Sequence, residues 1–390
     1  MKKPIVLIAP GMSLFTIGTL MLIALTGFRI PPGEPDSRVA LSAGQAPALV
    51  MSPRDDFLPA VLTAARGLPD VTAVAEVRSG TRWLNAWSAT GAPGPTGPAP
   101  GYQVPVDVAS VDPEQFRNLV PQHLRARVLD LGNGGAILSR TGAALRGITQ
   151  TGTLHFPGAD IPVIGVVDDP IVRNHEIVMS HNTGLAVGLD ETRYVVIGLR
   201  TLQAGKQVED GLRAAIPPGA SMRVRGPQGS GASSGPSPLL SLAQVKAAFG
   251  EYSAMTNAGT SIRIDQGWID ANTEMATLPL LGTTRCHKKV IPQIAGAVAE
   301  IEQKGLAHLI RHGDFGGCFS PRFIRSGKEA GLSRHSWGAA LDFNVSSNLY
   351  GQPPTMDMRI VEIFERHGFS WGGRWNYPDG MHFEVNRPRG

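Results

Sequence analysis

The sequence predicts an α+β protein in three parts: an N-terminal membrane helix, an α+β extracytoplasmic domain, and a C-terminal α+β domain built on a small antiparallel sheet. Three observations carry this expectation. Residues 4–28 read "PIVLIAPGMSLFTIGTLMLIALTGF" without a single charge. The stretch "GPQGSGASSGPSP" (226–238) is too rich in Gly, Pro and Ser to pack as an element. On both sides of it, segments with apolar residues at helical spacing alternate with β-branched and period-two runs.

The chain has 390 residues, 42% of them hydrophobic, enough for two modest cores. Only 17% are charged, whereas Gly (47) and Pro (31) are frequent, so turns and short strands should be plentiful. The net charge of +4 comes from scattered Lys and Arg rather than a basic stripe. Nucleic-acid binding is therefore not expected, while weak attraction to anionic cell-wall or membrane polymers remains open.

Residues 1–30 are read as a transmembrane anchor or a signal. The apolar run is long enough to cross a bilayer, and Lys2 and Lys3 before it favour a cytoplasmic N-terminus with everything downstream exported. A cleaved signal peptide is the competing reading, but its apolar region would be long and no A-x-A-like site follows. The expected location is thus the cell membrane, single-pass, with the domains on the extracytoplasmic side; the alternative is secretion. Cys286 and Cys318 are the sole cysteines. In an exported chain a disulfide between them is expected.

Residues 38–225 form the first domain. "FLPAVLTAARGLP" has helical spacing with a Gly-Leu-Pro stop, "VTAVAEVRSG" alternates like a half-buried strand, and "IPVIGVVDD" and "RYVVIGL" suit buried strands. "GAPGPTGPAPG" (91–101) reads as a long surface loop. His123, His155, His175 and His181 share no ligand-like spacing, so this domain is read as a spacer or a module for a protein partner. The stretch 226–238 is the linker to residues 239–390.

In the C-terminal domain, "KKVIPQIAGAVAEIEQKGL" lines up Val290, Ile291, Ile294, Val298 and Ile301 on one helical face before Gly305. "MDMRIVEIFERHG" repeats the device with Ile360, Val361 and Phe364 before Gly368. Both helices are expected to back a small sheet. In the strand "GAALDFNV", Ala340, Asp342 and Asn344 share one face and Leu341, Phe343 and Val345 the other; in "MHFEV", His382 and Glu384 oppose Met381, Phe383 and Val385. His335 lies an odd seven residues before Asp342, so it must sit in the turn before Gly338 and swing back over Asp342.

Two imidazoles and one carboxylate with room for a water make a catalytic zinc site, Zn2+ held by His335, Asp342 and His382. Asp379, three residues before His382 in "PDGMH", is placed to act as general base toward water activated at the metal. Glu384 is a candidate to orient His382. Ser333, Trp371 and Trp375 are candidates for the cleft lining, and His287, His308, His312 and His367 are read as ordinary surface or core residues.

Residues 249–386 resemble the zinc-dependent D-alanyl-D-alanine carboxypeptidases of peptidase family M15, in particular the branch with L-alanyl-D-glutamate endopeptidases. The pattern S-x-H-x-x-G-x-A-x-D stands as Ser333, His335, Gly338, Ala340 and Asp342, and "GTTRCHKKVIPQ", "GGCFSPRFIR" and "GFSWGGRW" followed by "PDGMHFE" fit that branch. The resemblance implies that His335, Asp342 and His382 bind zinc, that Asp379 is the acidic base, and that an upstream arginine contacts the substrate. Arg322 in "SPRF" fits this last role best, with Arg325 second, because the stretch departs from the family's S-G-Y-R form. The implied substrates are peptidoglycan stem peptides, with the cleaved bond left open; the alternative is a non-catalytic cell-wall peptide-binding or scaffold protein.

Residues 38–200 bear a weaker resemblance to the extracytoplasmic domain of MacB- and FtsX-like permeases, through "LPDVTAVAEV", "VDPEQF" and "GAILSRTGAALRGITQTGTLHFPGADIPVIGVVDD". Those families have several membrane spans and a partner ATPase, whereas this sequence offers one span, so a similar fold is implied and transport is not.

Overall fold

The structure is a computed structural model and describes residues 47–53, 57–217, 222–225, 239–256, 261–324, 331–375 and 378–389. The apolar run 4–28, the stretch 226–238 and Arg325 lie outside the described residues. Among those described, no helix is long and apolar enough to cross a membrane.

The chain is mixed α+β. Its first half builds a ten-stranded sheet from β1 (Ala48–Pro53), β2 (Val71–Leu84), β3 (Ala86–Ala89), β4 (Val104–Val111), β5 (Ala136–Ser139), β6 (Gly152–Phe156), β7 (Ala159–Val167), β8 (Ile177–Ser180), β9 (Thr192–Leu199) and β10 (Met222–Arg225). The order is β10-β1-β9-β2-β4-β8-β5-β7-β6-β3. The pairs β4/β8 and β5/β7 are parallel and the others antiparallel. The β-branched runs foreseen as strands fall in β7 and β9, while the alternating run from Val71 continues to Leu84. The helix Leu58–Gly67 starts with a proline in its first turn, where no N–H is needed. It buries Val61, Leu62 and Ala65 against Leu49, Val195 and Ile197 of the sheet. Residues 91–101 form an exposed loop carrying one bridge, Trp87 to Thr96.

In the second half, the antiparallel pairs β11 (Ala254–Thr256) with β12 (Ile262–Ile264) and β13 (Thr273–Leu278) with β14 (Gly282–His287) precede a four-stranded antiparallel sheet. Its strands β15 (Phe315–Gly317), β16 (Ala340–Phe343), β17 (Phe369–Trp371) and β18 (His382–Val385) run in the order β15-β16-β18-β17. One face packs on the helices Ile291–Gln303 and Met358–Arg366: Ile294, Val298, Ile301, Ile360, Val361 and Phe364 join Leu341, Phe343 and Phe383 in a single core. The Phe343 and Phe383 rings stack at 4.9 Å, and Phe364 sits 4.8 Å from Phe383. Cys286 and Cys318 form the expected disulfide.

One local expectation fails. The strand from Ala340 ends at Phe343, because Asn344 takes a left-handed conformation with φ of 51° and Val345 begins a 3-10 turn. The Asn344 side chain accepts from the Arg311 N–H and donates to the Leu309 carbonyl, both at 2.8 Å. Asparagine tolerates this backbone region, and the bonds it gains there outweigh two more residues of strand.

Candidate active site

The register of β16 and β18 sets Asp342 directly opposite His382 and Ala340 opposite Glu384. Asp342, His382 and Glu384 therefore leave the sheet on the face away from Leu341, Phe343 and Phe383. His335 comes from the 3-10 turn Arg334–Trp337, which opens with the Ser333 hydroxyl accepting from the His335 N–H at 3.3 Å. The turn closes on Gly338 at φ 63°, where a Cβ would stand 2.6 Å from the His287 backbone nitrogen. Only glycine fits, and the sharp reversal brings His335 back over the sheet.

The three side chains converge. His335 Nε2 lies 3.2 Å from Asp342 Oδ2, and His382 Nδ1 lies 2.9 Å from Asp342 Oδ1. The two ring nitrogens are 3.3 Å apart. Each imidazole is fixed from behind: His335 Nδ1 donates to the Cys318 carbonyl at 2.9 Å, and His382 Nε2 donates to Glu384 Oε2 at 3.2 Å. Those outer bonds leave Nε2 of His335 and Nδ1 of His382 facing the carboxylate, where they would offer lone pairs to a metal on losing the protons they share with Asp342. Two nitrogens and one oxygen within 4.8 Å of one another are a donor set that fits a zinc ion with one position left for water or substrate. Among the described residues no other group of His, Cys, Asp or Glu gathers in this way.

Charge in the cluster is tightly balanced. Burial alone would raise the Asp342 carboxyl pKa, but hydrogen bonds from His335 and His382 hold it well below the usual carboxylate range. For His382, burial works against the charged form, yet bonds to Asp342 and Glu384 push it up to about 10. The site is thus built to hold positive charge beside two carboxylates.

Asp379 sits at the rim. Its N–H donates to the Gly372 carbonyl at 3.0 Å, and its own carbonyl accepts from the His382 N–H at 3.1 Å. A Cβ on Gly372 would come within 2.7 Å of that Asp379 oxygen, so the glycine makes room for the turn. Asp379 Oδ1 is buried with no hydrogen-bond partner among the described residues. Burial raises its pKa, His382 opposes that rise, and Asp342 adds to it. A carboxyl so placed is ready to take up a proton.

The other sequence candidates divide. Arg322 is half-buried, with Nη1 at 3.3 Å from Ser333 Oγ and 3.4 Å from the Ser320 carbonyl. The Trp375 ring lies 5.3 Å from His382, whereas Trp371 is core, its Nε1 bonding the Gly380 carbonyl at 2.8 Å. His287 bonds the Phe249 carbonyl, His308 the Gly305 carbonyl and His367 Glu300, all away from the cluster. Two contributors escape sequence reading. The Cys318 carbonyl orients His335 but is a backbone group, and Trp337, which holds the His335 turn through its Nε1 bond to the Gly250 carbonyl at 3.0 Å, reads as one more core aromatic.

Fold and site together describe an α+β protein with a peptidase-like centre. Residues 326–385, the stretch holding His335, Asp342, Asp379, His382 and Glu384, match the family model described as D-alanyl-D-alanine carboxypeptidase, of peptidase family M15. The match supports a peptidase. Among solved structures, the chain is similar to the periplasmic region of MacB from Actinobacillus actinomycetemcomitans, at 11% identity and a TM-score of 0.32, over 49% of this chain and 94% of that one. No curated protein matches.

Proposed function

We propose that this protein is a membrane-anchored zinc metallopeptidase that cleaves amide bonds in peptidoglycan stem peptides, as a D-alanyl-D-alanine carboxypeptidase or a related endopeptidase. The convergence of His335 Nε2, Asp342 and His382 Nδ1, each imidazole fixed by an outer partner, carries the reading. Zinc, when bound, supplies Lewis acidity that polarises the scissile carbonyl and acidifies water.

The chain's own groups supply the rest. Asp379, with its unpartnered Oδ1 and raised pKa, takes a proton from the attacking water and returns it to the leaving amine as the C–N bond breaks and the C–O bond forms. Arg322 holds the substrate and offsets oxyanion charge. Trp375 beside His382 screens the site from water. Burial of His335 and His382 keeps each ring in one orientation, so the donors need no rearrangement on binding.

The test uses the full chain. Zinc content is measured beside products from a muropeptide pool, for wild type and Asp379→Ala. The expected result is one zinc per chain in both proteins and cleavage that falls by about 10²–10⁴ in the variant. Released D-alanine identifies a carboxypeptidase and other Asp379-dependent products an endopeptidase. Zinc without cleavage would replace this reading by a cell-wall peptide-binding protein, and a chain that takes up no zinc would end it.

A further inference from the structure

The first half of the chain touches the elements that carry the site, and at two adjacent places. Trp83 and Pro105 are cross-strand partners near the ends of β2 and β4. The Trp83 ring meets Phe323 edge-on, with centroids 6.2 Å apart and planes at 81°, and it packs against the core of the second half. Phe323 is the residue after Arg322 and is almost fully buried. Two residues earlier on the same face of β2, Thr81 lies under Gly331, where an added Cβ would stand 3.8 Å from its hydroxyl.

Phe323 and Leu332 form an antiparallel bridge, with the Ile324 N–H bonded to the Gly331 carbonyl at 3.0 Å and the Ser333 N–H to the Arg322 carbonyl at 3.1 Å. Trp83 and Thr81 therefore lie against the two bridged segments that deliver Arg322 on one side and Ser333 with His335 on the other.

The second place is ionic. Lys246, on the helix Leu242–Phe249, is fully buried and bonds the Pro105 carbonyl and both oxygens of Glu176, at 2.8 and 3.0 Å for the latter. Arg146 reaches Glu176 and Glu251, each at 3.1 Å, and Lys246 reaches Glu251 at 3.0 Å. Two cations and two carboxylates, taken from both halves, lock this helix to the ten-stranded sheet. The segment that follows supports the His335 turn: Gly250 accepts the Trp337 indole, and the Tyr252 ring lies 4.6 Å from Trp337. The described residues of both halves accordingly belong to one compact unit.

We infer that the ten-stranded region is a structural wall of the active site, with Trp83 as a positioning residue that sets Arg322 against the substrate through Phe323. The inference rests on the proposed peptidase reading for its kinetic consequence, but its structural part stands without metal or substrate. Loss of the indole opens a gap beside Phe323, and misplacement of a substrate-holding group by about 1 Å costs up to about a hundredfold.

The experiment compares full-length wild type, Trp83→Ala and Trp83→Phe. Amide hydrogen exchange is followed in metal-free protein at Ile324 and Ser333, with the helix Ile291–Gln303 as internal reference; kcat and KM are then measured on muropeptides with zinc bound. Trp83 is only half-buried, and Trp83→Phe keeps an aromatic ring against Phe323, so at least one variant folds. The expected outcome for Trp83→Ala is faster exchange at those two amides, unchanged exchange in the reference helix, and a raised KM with a lowered kcat, together about tenfold in kcat/KM, with zinc content held. Trp83→Phe should restore most of both.

Wild-type exchange and KM in Trp83→Ala would overturn the inference and leave the peptidase reading intact, as would equal acceleration throughout the chain, which marks general destabilisation. Should wild type bind zinc and cleave nothing, the peptidase reading fails on its own, and exchange at Ile324 and Ser333 still decides whether Trp83 fixes this segment.

Discussion

His382 is held from both sides, its Nδ1 turned to Asp342 and its Nε2 to Glu384. Glu384 lies two residues along the same strand and is itself buried, with Arg334 3.9 Å away. Its charge fixes the tautomer and raises the basicity of the nitrogen that faces the cluster. Glu384→Gln keeps the size of the side chain and removes that charge, and zinc affinity should fall about tenfold in competition with a chelator. An unchanged affinity would reduce Glu384 to a core-edge residue. The residues of this cluster were legible because their chemistry is written in side-chain identity and their placement in strand parity: Asp342, His382 and Glu384 need only a period of two. His335 needed one more step, the odd spacing that forces it into a turn. What stayed hidden has a physical reason too. The Cys318 carbonyl is common to every residue type, and Asn344 leaves the strand for bonds to Leu309 and Arg311 that only the folded chain brings near.

At the scale of elements, the two helices behind the small sheet follow from apolar spacing and glycine stops, and they bury the residues that the spacing selects except Ile291, which is half-buried at the start of its helix. The helix Leu242–Phe249 shows where such reasoning stops. In "LAQVKAAF" Lys246 looks like a solvent-facing lysine, yet it is buried, because Glu176 and Glu251 arrive from distant parts of the chain to meet it. The cluster gives this helix a pH dependence. Burial disfavours the charged form of Glu251, but Lys246 and Arg146 more than reverse that and lower its pKa below the ordinary 4.5. A carboxyl held below its unfolded value contributes stability that is complete above that value and lost as pH falls through the folded one. Glu251→Gln leaves buried cations short of a partner and should cost about 3 kcal/mol at pH 7. Urea unfolding at pH 7 and again near pH 3 should show this gap closing in acid, since protonation makes the wild type resemble the variant. A gap of equal size at both pH values would assign it to packing instead of charge.

For the whole molecule, composition marks the stretch 226–238 as a divide, and it gives no sign that β2 and the helix after that divide would meet in one compact unit. Contacts such as Trp83 to Phe323 join positions far apart in sequence, and neither residue type announces a partner. The disulfide Cys286–Cys318 uses both cysteines of the chain, as suits an oxidising compartment, and ties β14 to the carbonyl that orients His335. We propose that the uncharged run 4–28 behind Lys2 and Lys3 delivers the protein there and stays as its anchor. In cells, the full chain should then sediment with membranes, resist extraction by alkaline carbonate, and be digested by protease added from the extracytoplasmic side. Removing residues 1–30 should leave the body in the cytoplasm with both thiols open to alkylation. A secreted protein whose first residue lies beyond residue 30 would instead identify the run as a cleaved signal, with the site still exported. Protection of the full chain from outside protease, with both thiols reactive, would overturn export altogether and with it the assignment of cell-wall peptides as substrates.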